Sequence, residues 1–236
     1  MKNQYVGDVN DFVKYGLVRT LTTTGQQSSF VAWLLTPDDL SDDGRKLGYL
    51  DAPPEWRHRD PTLFDGLHRL IAEDARSVIA VADMGILPGA KFYTEIVPVG
   101  VTERSQHFTM LLHHASGQEL VFFDPDNGLE IPSCPPGRQG SDKYLLWREL
   151  AETYQAGHSV LVYQHFPREA RPAFVDRMTR RIAEATGACE VFAFQTSHVV
   201  FLLVPQRQEA EYYAERAQAI ENQWEGLVVP LRVAVS

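Results

Sequence analysis

The chain reads as an α/β protein: a mostly parallel, Rossmann-like sheet with helices on both faces and an antiparallel hairpin at one edge. Two observations predict this. Short runs that are apolar throughout, such as FVAWLL and LVFF, alternate with longer segments whose apolar residues recur at helical spacing. Late in the chain, CEVFAF and HVVFLLVP are separated by Gln195, Thr196 and Ser197, a hairpin-like spacing. At 236 residues and 44% hydrophobic, the chain can bury a sizeable core. No linker composition divides it, so residues 1–236 read as one α/β domain with a helical insert near 37–80.

The elements follow in order. A helix is expected over Asn10 to Leu21, capped by Asp8 or Asn10, with Phe12, Val13, Leu17, Val18 and Leu21 on one face. Phe30 to Leu35 is a buried strand that runs into the acidic loop TPDDLSDDGR. Pro61 to Ala75 is a second amphipathic helix, and Ser77 to Val81 fits either a strand or a helix extension. LPGAKFYTEIVPVG reads as turn, strand, turn; Arg104 to His114 as a helix; and LVFF as the next strand. After the proline- and glycine-rich CPPGRQGSDK loop, a helix is expected from Lys143 to Gln155. SVLVYQHF is then a strand and Arg168 to Thr186 a long helix. The hairpin, a surface helix from Glu209 to Gln223 and a last apolar run, LVVPLRVAV, complete the chain.

A formal net charge of −9 removes any global electrostatic footprint for nucleic acid, but a local basic face can still act inside an acidic protein. Arg168, Arg171, Arg177, Arg180 and Arg181 cluster on one helix, where a solvated face is the simpler reading. The two cysteines lack CxxC spacing, which argues against a disulfide framework or a cysteine zinc site. No stretch approaches the roughly 20 apolar residues of a membrane span. The expectation is a soluble, cytoplasmic protein without a membrane partner, of undetermined oligomeric state.

In open α/β sheets, ligands bind beyond the carboxyl ends of the strands. Three strands end in polar chemistry: FVAWLL in Thr36, Pro37, Asp38 and Asp39; LVFF in Asp124, Pro125, Asp126, Asn127 and Gly128; and SVLVY in Gln164 and His165. Upstream, GDVNDFVK groups Asp8, Asn10, Asp11 and Lys14, with Asp11 and Lys14 on one helical face. Each has a plainer explanation as turn, cap or surface pair. No GxGxxG, Walker A, HExxH, GxSxG or EF-hand pattern is present, which removes many ordinary enzyme classes.

Taken in order, these segments resemble the class I S-adenosylmethionine-dependent methyltransferase superfamily, and within it the bacterial 23S ribosomal RNA adenine-N6 methyltransferase family. NDFVKYGLVRTL is similar to that family's N-terminal helix with its Asn-x-Asp-x-x-Lys core, ILPGAKFY to its proline-glycine turn, and HVVFLLVP to its closing edge strand. LVFFDPDNGLE stands where the family has a catalytic strand ending in Asp-Pro-Pro-Tyr: Asp124 and Pro125 match, while Asp126 and Asn127 replace the second proline and the aromatic. The family's glycine-rich cofactor loop corresponds to Thr36 to Asp39, with no glycine until Gly44. The three-Cys-motif partner proteins, also degenerate members of the superfamily, share the look.

The resemblance implies S-adenosylmethionine as cofactor and a nucleic-acid base or other amine as acceptor. Thr36, Asp38, Asp39 and Glu95 would then hold the cofactor, Asp124, Asp126 and Asn127 would orient the acceptor, and Lys14 and His165 would lie beside it. The same substitutions suit a second expectation, a magnesium- or manganese-dependent phosphodiester hydrolase using Asp8, Asp11, Asp38, Asp124 and Asp126 as hard oxygen ligands. A third is a non-catalytic partner protein.

Overall fold

Asp8 starts the first helix: its carboxylate accepts from the backbone N–H groups of Asn10 and Asp11, and α1 runs Val9–Thr22. The computed structural model describes residues 1–23, 27–39 and 44–235. The second half of the acidic loop, residues 40–43, lies outside the described residues. After α1 come β1 (Ser29–Ala32), the short α2 (Pro53–Trp56), α3 (Pro61–Ala72) and α4 (Val78–Asp83), so helices fill the interval before β2 (Lys91–Tyr93). Ser77 decides the ambiguous apolar run in favour of a separate helix, because its hydroxyl caps α4 at Ala80 N–H.

The chain continues through α5 (Val101–Ala115), β3 (Leu120–Phe123), β4 (Gly128–Leu129), β5 (Tyr144–Leu145), α6 (Trp147–Gln155), β6 (Ser159–His165) and α7 (Arg171–Thr186). It ends with β7 (Glu190–Gln195), β8 (Val199–Val204), α8 (Ala210–Gln223) and β9 (Val229–Ala234). Tyr144 and Leu145 correct the expected helix from Lys143: they are extended and pair with Gly128 and Leu129. The cause is Arg104 on α5. Its buried guanidinium donates to the carbonyls of Ser141 and Tyr144 and pairs with Glu149 at 2.7 Å, holding the backbone out of a helix until Trp147.

Seven strands form one sheet in the order β2-β1-β3-β6-β8-β7-β9. β2, β1, β3 and β6 are parallel neighbours; β8 opposes both β6 and β7, and β9 opposes β7. Five strands therefore share one direction, as expected of a mostly parallel Rossmann-like sheet. The β7–β8 hairpin lies toward one end of the sheet, with β8 seated inside against β6 and β9 forming the outer edge.

Side chains alternate between two apolar layers, as period 2 requires. Val31, Trp33, Phe122, Leu161 and Phe201 face α1, α3, α4 and α8. Phe30, Ala32, Val121, Phe123 and Val162 face α5, α6 and α7. Each fully buried large side chain contributes about 1.5–3 kcal/mol. Gly16, inside α1, is required by packing, since a Cβ there would lie 1.9 Å from Trp224 Cζ2. No helix among the described residues is long and apolar enough to cross a membrane.

Candidate active site

β1 has β2 on one side and β3 on the other, so the connections leaving β1 and β3 diverge and open a crevice at their carboxyl ends. A cleft of about 310 Å³ occupies this place, lined by Asp8, Asp11 and Lys14 from α1, Asp124 to Asn127 after β3, and Tyr163 and His165 from β6. Met1, Tyr5, Asn10, Gly44 and Lys46 complete the wall.

Its buried floor is an ionic network. Lys14 Nζ stands 2.7 Å from Asp11 Oδ1 and 2.6 Å from Asp124 Oδ2, and 4.9 Å from the centre of the Tyr163 ring. Burial alone would lower the lysine's pKa; Asp11 and Asp124 outweigh it and hold the ammonium protonated. Burial raises Asp124 above the usual carboxylate range, with Lys14 opposing. Asp11 also accepts from Gly7 N–H and the Tyr15 hydroxyl. Asp8, nearly buried at the helix cap, is pushed up to about 6, first by burial and then by the charge of Asp11.

Beside this floor lies a cradle for a second ammonium. The α-ammonium of Met1 is 2.6 Å from Asp126 Oδ1 and donates to the backbone carbonyls of Leu34 and Asp124 at 3.2 and 3.1 Å. The Asp126 contact is an ion pair rather than an aligned hydrogen bond. Thr36 donates its hydroxyl to the other carboxylate oxygen at 2.6 Å, fixing its orientation. Burial pushes Asp126 up, yet Met1, Thr36 and Lys2 bring it below the ordinary carboxylate value. Burial in turn lowers the Met1 ammonium, against the pull of Asp126 and Asp124. Leu34 adopts φ +46°, a left-handed conformation that costs a non-glycine residue roughly 1–2 kcal/mol.

Lys14, Asp8, Asp11, Asp124, Asp126, Asn127 and His165 are therefore brought together, and Thr36 supports them. Asp38 and Asp39 are exposed and hold residues 2–4 instead: Asp39 pairs with Lys2, and Gln4 N–H donates to Asp38. Glu95, expected beside the cofactor, is exposed beyond β2 and is not among the residues that line the cleft. Asn127 and His165 stand where the cleft opens into a second groove, of about 610 Å³, lined by Trp147, Phe166 and Phe174. The arginines of α7 reach aromatic faces there, Arg181 over Trp147 at 4.1 Å and Arg171 over Phe166 at 5.1 Å.

Met1, the Leu34 carbonyl and Tyr163 escape the sequence reading. Only Tyr163 carried a signal, as an aromatic directly before the polar Gln164-His165 strand tip.

Chemically, three carboxylates (Asp11, Asp124, Asp126) face two ammonium groups, Lys14 and Met1, in the buried part of the site. With Asp8 and Lys46 added, the cleft sets four carboxylates against three ammonium groups. Among the described residues, no group of three or more His, Cys, Asp or Glu is arranged to hold a metal ion. No protein-family model matches the chain, and no curated protein does. Among solved structures, the chain is similar to protein LPL1258 of Legionella pneumophila str. Philadelphia 1, described as family-model DUF519. The two share 12% identity at a TM-score of 0.46, over 98% of each chain.

Proposed function

We propose that the chain is a methyltransferase-like enzyme that binds S-adenosylmethionine and acts on an amine, either on a nucleic-acid base or in another acceptor. One observation carries the reading: at the β1–β3 crevice Asp126 Oδ1 and the carbonyls of Leu34 and Asp124 converge within 3.2 Å of one ammonium, the kind of group that ends the cofactor. Asp126 and the carbonyls of Leu34 and Asp124 would hold that ammonium, and Thr36 would keep Asp126 aimed at it. The cofactor supplies an electrophilic methyl group; what the protein adds is mainly placement of the acceptor.

Placement falls to Asn127 and His165, at the junction of cleft and aromatic groove, where a planar base has Phe166 and Trp147 within the same groove to stack against. Lys14 keeps Asp124 fixed at the strand tip. The metal-dependent hydrolase reading draws on the same carboxylates, and here Asp11 and Asp124 both face Lys14 while Asp126 faces Met1. Calorimetry with S-adenosylmethionine tests the proposal. Binding that Asp126→Ala weakens at least tenfold supports it, and no heat at millimolar cofactor sinks it.

A further inference from the structure

We propose that a cavity at the amino-terminal end of β1 is a second ligand site, built for an organic carboxylate that Arg59 holds through the free edge of its guanidinium. Ser29, which begins β1, lines it together with Thr20, Thr22 and Thr23 from the carboxyl end of α1. The cleft lies at the other end of that helix, beside Asp11 and Lys14. From Asp11 to Thr22 the helix axis runs about 16 Å. The inference is therefore independent of what the cleft binds.

At about 510 Å³ the cavity has the size of a small-molecule site. Two arginines line it, and their situations differ. Arg19 is committed: it stands 2.7 and 3.3 Å from the two carboxylate oxygens of Asp60 and donates to the Ile86 carbonyl at 3.0 Å. Arg59 is anchored but unpaired. Its carbonyl accepts from Gln223 Nε2 at 2.7 Å, and its Nη1 donates to the Glu225 carbonyl at 2.9 Å. Among the described residues no carboxylate pairs with this guanidinium, and its Nε is buried without a partner.

Nε and Nη2 form the edge that meets both oxygens of a carboxylate. The ligand takes this edge by a small turn of the half-buried side chain about its Nη1 anchor. Burial pulls the arginine's pKa down, against the attraction of Glu225, and an anion in the cavity would restore the balance.

The opposite wall sets the class of anion. α1 ends there, and the carbonyl end of a helix carries a negative partial charge. Asp60 shares the wall, although Arg19 neutralises it. One uncommitted cation among these neighbours suits a single negative charge, a carboxylate rather than a phosphate dianion. Thr22 and Thr23 donate their hydroxyl hydrogens to the carbonyls of Val18 and Arg19, which leaves lone pairs for a ligand. A ligand body with a hydroxyl or amide N–H satisfies them, while Val18, Pro61, Leu87 and Pro88 supply the apolar wall.

The test follows the Arg59 Nε–H resonance of isotope-labelled protein, identified by its loss in Arg59→Gln. The probes are acetate, para-hydroxybenzoate, its neutral amide para-hydroxybenzamide, and inorganic phosphate, all at constant ionic strength. We expect the signal to move saturably with both carboxylates, and para-hydroxybenzoate to bind about tenfold more tightly than the amide or phosphate. Binding of para-hydroxybenzoate, followed by calorimetry, should weaken about tenfold in Arg59→Gln. The backbone amide of Asn127, in the cleft, should keep its position in the variant, which shows that the fold is intact.

An Arg59 signal that neither carboxylate moves at about 50 mM overturns the site. So does carboxylate binding that Arg59→Gln leaves unchanged, or that shifts Asn127 in place of Arg59. Phosphate bound as tightly as para-hydroxybenzoate overturns the assigned class.

Discussion

Lys14 Nζ lies 2.6 Å from Asp124 Oδ2, tying the first helix to the tip of β3 across 110 positions of sequence. With Asp11 on its other side, the ammonium is the only neutraliser the structure gives to either carboxylate by direct ion pairing among the described residues. Lys14→Met should therefore strand two buried charges and destabilise the fold by about 3–5 kcal/mol, read from urea denaturation. Adding Asp124→Asn to that variant should recover part of the loss. A Lys14→Met chain as stable as the parent would remove the network from the list of things holding α1 to the sheet.

Asp8 makes a pH-dependent prediction with an unusual sign. Its folded pKa, about 6, lies above the ordinary 3.8, so the folded state holds the proton more tightly than the unfolded one. Stability from this group is accordingly greatest at low pH and falls as pH rises from about 4 to about 6. Asp8→Asn preserves the helix cap. It should leave stability unchanged near pH 3 and raise it by up to roughly 3 kcal/mol at pH 8. Denaturation curves at the two pH values decide it.

Gly16→Ala introduces a methyl 1.9 Å from the Trp224 ring. Helix propensity would favour alanine here by about 1 kcal/mol. Overpacking should nevertheless win, with a net loss of about 1–3 kcal/mol visible as a lowered Tm. A raised Tm would mean that the tryptophan yields freely.

Arg104→Lys keeps the buried charge facing Glu149 but not the fork that reaches Ser141, Tyr144 and both Glu149 oxygens. A cost of about 1–3 kcal/mol is expected from the orphaned carbonyls. Faster hydrogen exchange should appear at the amides of Asn127 and Glu130, which bond to the carbonyls of Lys143 and Leu145.

The strands were legible because they are buried on both faces and so read as unbroken apolar runs, and DPDNG was legible as a polar end to one of them. Tyr144 and Leu145 read as helical from sequence because Tyr144, Leu145, Trp147 and Leu150 fit a helical stripe. What holds the first two extended is a guanidinium from residue 104, which no local pattern reports. Asp38 and Asp39 were visible as carboxylates beyond β1, but their partners are at positions 2 and 4, and a chain's opening residues carry no periodicity to announce where they lie. The pairing of Asp124 with Lys14 is likewise a fact of tertiary structure.

The place of β8 between β6 and β7 bears on how the chain is made. A nascent chain that has emerged only as far as Gln195 carries the residues of β7 but has no strand to pair them with, and the outer edge of β6 is bare. Bare edges of apolar strands invite pairing with other chains. Residues 199–204 close both gaps at once, so β7 joins the other four strands only when its keystone arrives, and a ribosome that stalls before Val199 leaves an adhesive intermediate rather than a smaller stable protein.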